Sequence, residues 1–245
     1  MPSPDPLAEA IDRLYAVFAP VPRPTAINWC PCCLTEAEAS RLLGPVPLHA
    51  LTVDTLRPYA DHVLLTVGDV ADFRHYLPRI FEIACTSGFN WPDLEPLVGR
   101  LRIAEWANWA ADEQSAVRGL LRAFWRKTLA AYPGFPDAET VLCAIANAED
   151  DLTPYLDEWA AALRQPAAAA ALLDLLGYST RLRAGALRLA NAFWDDHDEQ
   201  VVRWFTGPAL RKAVGDAFTA ADAEATMQTL ADLDELLGVH AQHRV

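Results

Sequence analysis

The sequence predicts an all-α protein made of antiparallel helix pairs, and three observations carry that expectation. Apolar residues recur with a period near 3.6 along almost the whole chain, segment ends carry helix-capping chemistry, and long alternating β-branched runs are missing. Little or no sheet is expected. The helix pairs would form either a HEAT/armadillo-like α-solenoid or simple packed helices.

The first helix should cover residues 7–18, with Leu7, Ile11, Leu14, Tyr15 and Phe18 on one face. Pro20, Pro22 and Pro24 then force an extended link. Thr35 and Glu38 make a capping box, in which hydroxyl and carboxylate satisfy free backbone donors, so a short helix should run to Leu43 and stop at Gly44, Pro45 and Pro47. Thr52 caps a helix through Leu65. Asp69 opens another, through about Cys85, with Pro78 inside it as a bend.

Beyond Gly88 the texture turns Ala- and Trp-rich. Trp91-Pro92-Asp93-Leu94-Glu95 is echoed by Phe135-Pro136-Asp137-Ala138-Glu139 at an offset of 44 residues. That spacing matches a two-helix repeat, filled here by helices near 92–111 and 112–131. Pairs at 136–148 with 153–163 and at 166–176 with 180–194 would continue it, before helices near 208–216 and 219–237. Proline and acids at a helix start would give the same echo without any repeat. The expected organisation is a helical module over 1–88 holding the cysteines and a repeat-like region over 89–245, or one continuous domain.

Composition narrows the function classes. The 245 residues carry a formal charge of −13, which repels phosphate backbones and argues against nucleic acid. No window approaches the apolar length of a membrane span, so no membrane association is expected. The first residues lack the basic start of a secretory signal, and Glu9, Asp12 and Arg13 interrupt the first apolar stretch, which suggests a cytoplasmic protein. Five cysteines bunched as Cys30, Cys32 and Cys33, with Cys85 and Cys143 far away, suit reduced thiols or metal ligands better than disulfides.

Trp29-Cys30-Pro31-Cys32-Cys33 is the sharpest candidate site. Cys30 and Cys33 stand in C-x-x-C spacing just before a capped helix, where two thiolates can share a Zn²⁺ and the helix start favours the thiolate. One such pair is half a zinc site. The remaining ligands would come singly from Cys32, His49, His62, His75 or Cys85, with His75 the first choice, because its helix should dock near the cysteines. The alternatives are a redox-active dithiol, ordinary reduced thiols, and a His75 that is merely part-buried.

Cys30 to Cys33 also resembles the Cys-Pro-x-Cys active site of glutaredoxin-like proteins, which implies Cys30 as a nucleophile. Those proteins carry the motif on a βαβ scaffold that this helical pattern does not supply. A wider resemblance spans residues 30–82. C-x-x-C, Pro47-Leu48, Leu51-Thr52, the stretch from Leu56 to Tyr59, the stretch from Thr66 to Asp69 and Asp72-Phe73-Arg74-His75-Tyr76-Leu77-Pro78-Arg79 are similar to a group of bacterial helical proteins without a known activity. That resemblance implies that the cysteines and the Phe-Arg-His stretch belong to one structural unit.

Other polar clusters have plainer readings. Arg118, Arg122 and Arg126 recur every four residues as a basic stripe that could meet an anion or exchange ion pairs with acidic neighbours. Asp195-Asp196-His197-Asp198-Glu199 offers hard ligands, yet such acids also cap helix junctions, as Glu149-Asp150-Asp151 would. Zinc-protease, nucleophile-elbow, dinucleotide and phosphate-loop motifs are absent, so catalysis has no positive support. The eight tryptophans fit helix-helix packing, or a partner surface if exposed together. The functional expectation is a protein-interaction scaffold with a structural zinc site. Its alternative is a metal- or thiol-dependent protein acting through Cys30 and Cys33.

Overall fold

A computed structural model describes residues 5–195 and 197–242 and divides the chain into two compact units, 1–124 and 125–245. The described residues form twelve α-helices and one two-stranded sheet, so the fold is all-α apart from a single hairpin. Among them no helix is long and apolar enough to cross a membrane.

The first unit contains α1 (Pro6–Phe18), α2 (Glu36–Leu43), α3 (Val53–His62), α4 (Val70–Cys85), α5 (Leu94–Ile103) and the larger part of α6 (Ala111–Ala130). Its core is built along α4, whose Phe73, Tyr76, Leu77, Ile80 and Phe81 are all buried. Leu7, Ile11, Leu14 and Phe18 of α1 bury against that helix, removing apolar surface from water at about 25 cal/mol per Å². Tyr15 donates to Glu82 at 2.6 Å, and Arg79 donates to the Leu51 carbonyl at 2.8 Å, which ties α4 to the chain before α3.

Capping residues set the helix starts here. Thr35 and Glu38 form the expected reciprocal box at α2, and Asp69 with Asp72 forms a second one at α4. The helix expected through Leu65 stops at His62, because Leu64 turns into the left-handed region and Val63 bridges to Val67. In the Trp-Pro-Asp and Phe-Pro-Asp echo, Asp93 and Asp137 are the N-caps, and the prolines precede the helices instead of opening them.

The second unit holds the end of α6, α7 (Ala138–Ala146), α8 (Thr153–Ala162), α9 (Pro166–Tyr178), β1 (Thr180–Arg183), β2 (Ala186–Leu189), α10 (Glu199–Thr206), α11 (Pro208–Thr219) and α12 (Glu224–His240). The most extensive helix packing is of α12 against α9 and α11. Three indoles line up inside it, Trp125 edge-on to Trp159 at 5.2 Å and Trp159 stacked on Trp204 at 5.7 Å. The two fully buried ones are also hydrogen-bonded, Trp125 to the Tyr155 carbonyl and Trp159 to the Ala168 carbonyl.

One expected element is overturned. Residues 180–194 form no α-helix: β1 and β2 pair antiparallel, with Arg181 opposite Arg188 and Leu182 opposite Leu187, and a three-residue 3₁₀ helix follows at Ala192–Trp194. The connection is two residues, Ala184 and Gly185, both at positive φ (52° and 85°), the geometry that matches the twist of a tight hairpin.

Candidate metal centre

The cysteines lie on the link between α1 and α2, and both flanks of that link are pinned. Upstream, the Asn28 carbonyl accepts from Gly68 N–H at 2.7 Å, Trp29 bridges to Val67, and Cys30 N–H donates to the Thr66 carbonyl at 2.9 Å. Downstream, Leu34 is buried and Thr35 caps α2.

Between these anchors the Cys30 carbonyl accepts from both Cys33 N–H (2.9 Å) and Leu34 N–H (3.1 Å). Pro31 sits at the second position of this turn, where its fixed φ suits the geometry. The turn gathers three sulfurs. Cys30 Sγ lies 2.6 Å from Cys32 Sγ, Cys32 Sγ lies 3.5 Å from Cys33 Sγ, and all three are within 4.8 Å of one another. Cys32 is exposed, Cys30 and Cys33 are half-buried, and none is in a disulfide.

The thiols differ in acidity. Hydrogen bonding with Cys32 holds the Cys30 thiol below its ordinary value. The same contact, with that to Cys33, pushes Cys32 up to about 11, so Cys30 is the more acidic of the two.

Among the described residues, these three cysteines are the one set of three or more His, Cys, Asp or Glu side chains whose ligand atoms converge in this way. They can hold a metal ion. A tetrahedral zinc with bonds of about 2.3 Å separates its sulfurs by about 3.8 Å, so the Cys32–Cys33 spacing is nearly in place and Cys30 must swing outward.

His75 stands outside the set. It sits on α4, edge-on to Tyr76 at 4.9 Å, with Nδ1 3.4 Å from the Val21 carbonyl. Burial, with the nearby Arg23 charge, lowers its pKa, against the pull of that carbonyl. His62 lies beside Asp61, and Cys85 and Cys143 are buried in helices.

The remaining clusters settle mostly into packing. Arg118 stacks over Trp106 at 4.7 Å, and Arg126 makes a forked pair with Glu158. Asp198 is buried on Arg188 and Leu189 N–H, and Asp151 accepts from Thr153 N–H beside the start of α8. Asp196 lies outside the described residues. Residues 66–68 hold the thiol turn in place, and the stretch from Thr66 to Asp69 falls within the resemblance over residues 30–82, with Gly68 before the Asp69 cap as its local signal.

In comparisons with known proteins, no family model, curated protein or solved structure matches this chain.

Proposed function

We propose that this protein binds a thiophilic metal ion, zinc first among them, through Cys30, Cys32 and Cys33. The observation that carries the reading is the convergence of three sulfurs within 4.8 Å on a turn pinned at both ends. Structural zinc sites close with four protein ligands, whereas three leave a position open. On an exposed turn that position is free for water or an incoming donor. A side chain of a partner protein is one such donor, which accommodates the interaction role expected from the helical texture.

A second reading rests on the thiol pair itself. Cys30 in contact with Cys32, and the more acidic of the two, suits an attacking thiol and its neighbour in thiol-disulfide exchange.

One experiment separates them. Purified full-length protein is titrated with Zn²⁺ or Cd²⁺ while bound metal, thiolate-to-metal absorption and free thiols are counted, with and without chelator. One ion per chain, three thiols protected, and loss of binding in Cys30→Ser and Cys33→Ser but not Cys143→Ser supports the metal site. Thiols that stay freely reactive with the ion present, or binding that survives loss of Cys30, sinks it. Stoichiometric Cys30–Cys32 disulfide formation without metal uptake favours the exchange reading instead.

A further inference from the structure

The hairpin of the second unit carries a charge arrangement that its own fold does not explain. Side chains directly opposite in an antiparallel pair share a face, as do residues two apart on a strand. The register therefore puts Arg181, Arg183 and Arg188 on one face, with Arg181 directly across from Arg188. Like charges in that position repel. Some arginines elsewhere meet carboxylates, as in Arg79 with Glu82, Arg126 with Glu158 and Arg211 with Asp234, and others, such as Arg41 and Arg100, meet backbone carbonyls. Here Arg188 pairs with Asp198 at 2.6 Å, while Arg181 and Arg183 have no ion-pair partner among the described residues.

This face lines an open cleft of about 500 Å³, whose wall also holds Asn191, Trp194 and the acids Asp195 and Asp198. A volume of that size takes a small molecule. Guanidinium forks bind anionic oxygens in pairs, and two forks on one strand, spaced by one residue, suit a ligand with several terminal oxygens better than a single carboxylate. Three arginines on one hairpin face, all lining the same cleft, concentrate positive charge there in a chain of charge −13.

We propose that this cleft binds a small molecule carrying a diphosphate or comparable multiply charged phosphoryl group, held by Arg181 and Arg183. Arg188 is the third cation of the face, oriented by Asp198. The proposal is independent of the thiol turn, because it uses different residues in a different unit.

The test uses the full-length protein, with inorganic pyrophosphate as the probe and citrate as the polycarboxylate control, by titration calorimetry and thermal shift at physiological salt. Saturable one-to-one binding of pyrophosphate, weakened at least about tenfold in the doubly substituted Arg181→Ala, Arg183→Ala protein, is the expected result. The conservative Arg181→Lys keeps the charge but not the fork, and should show a smaller loss. Absence of saturable binding, or equal affinity in the double variant, overturns the site. Citrate binding as tight as pyrophosphate overturns the phosphoryl assignment. Both arginines are exposed, so the variants should keep wild-type helicity, and Arg181→Lys reads out the site on a fully charged hairpin.

Discussion

The two units each suspend an irregular segment between helices, and they fix it by opposite means. In the first, the thiol turn is held by neutral backbone bonds to residues 66–68, made possible because Gly68 comes close enough for its N–H to reach Asn28. In the second, the hairpin is held by a buried charge, Asp198, which takes both the Leu189 N–H and the Arg188 guanidinium. A backbone anchor tolerates changes of nearby side chains but no added bulk at the approach. A carboxylate anchor tolerates bulk nearby but not loss of its charge.

Removing the charge should give the largest effect. Asp198 is 3% exposed, so Asp198→Ala strips the buried Leu189 amide of its acceptor and Arg188 of this ion pair. A loss of about 3 kcal/mol in urea unfolding is expected, with pyrophosphate binding weakened as the hairpin loosens. A loss below about 1 kcal/mol would mean that the hairpin is held by its strands alone.

Adding one methyl at the backbone anchor comes next. Gly68 sits at φ 66°, and a Cβ there would lie 3.1 Å from both the Tyr59 ring and an Asp72 oxygen. Tyr59 is fully buried, so the ring has little room to yield. Gly68→Ala should cost about 2 kcal/mol and lower the affinity of the thiol turn for Cd²⁺ by shifting its anchor. Unchanged metal affinity in a destabilised variant would show that the turn is organised by Pro31 and the α2 cap without the bridge.

Much of the architecture was legible in local sequence, and the exceptions share a cause. Thr35-x-x-Glu38 announces the start of α2 and, through it, the downstream anchor of the cysteines. The three cysteines could be read as a set because Pro31 makes their turn a local event. The placement of His75 could not, since it depends on how α4 and the segment around Val21 pack across a long sequence separation. The hairpin was missed for a different reason. Arg, Leu and Ala are strong helix formers, so Arg-Leu-Arg and Ala-Leu-Arg-Leu read as helix. The period-2 alternation around Ala184-Gly185 was present, but Ala stands where Asn or Asp usually advertises the turn.

The smallest expected effect sharpens the same contrast, because it asks what a half-buried imidazole does in the unit whose thiol turn is held upstream by backbone bonds. Burial and the nearby Arg23 lower the His75 pKa in the folded protein, so the unfolded chain takes up the proton first as pH falls. Stability linked to His75 is therefore complete above the unfolded value of about 6.5 and declines as pH drops through that value toward the lower folded one. His75→Phe keeps a ring against Tyr76 and removes the titration. The stability difference between wild type and His75→Phe should shift in favour of the variant, by less than about 1 kcal/mol, between about pH 7.5 and about pH 5, because the residue is only half-buried. A difference that stays flat across that range would mean the imidazole is as easily protonated folded as unfolded. One that moves the other way would mean protonated His75 finds an acceptor in the fold, and the Val21 carbonyl 3.4 Å away is the atom placed to provide it.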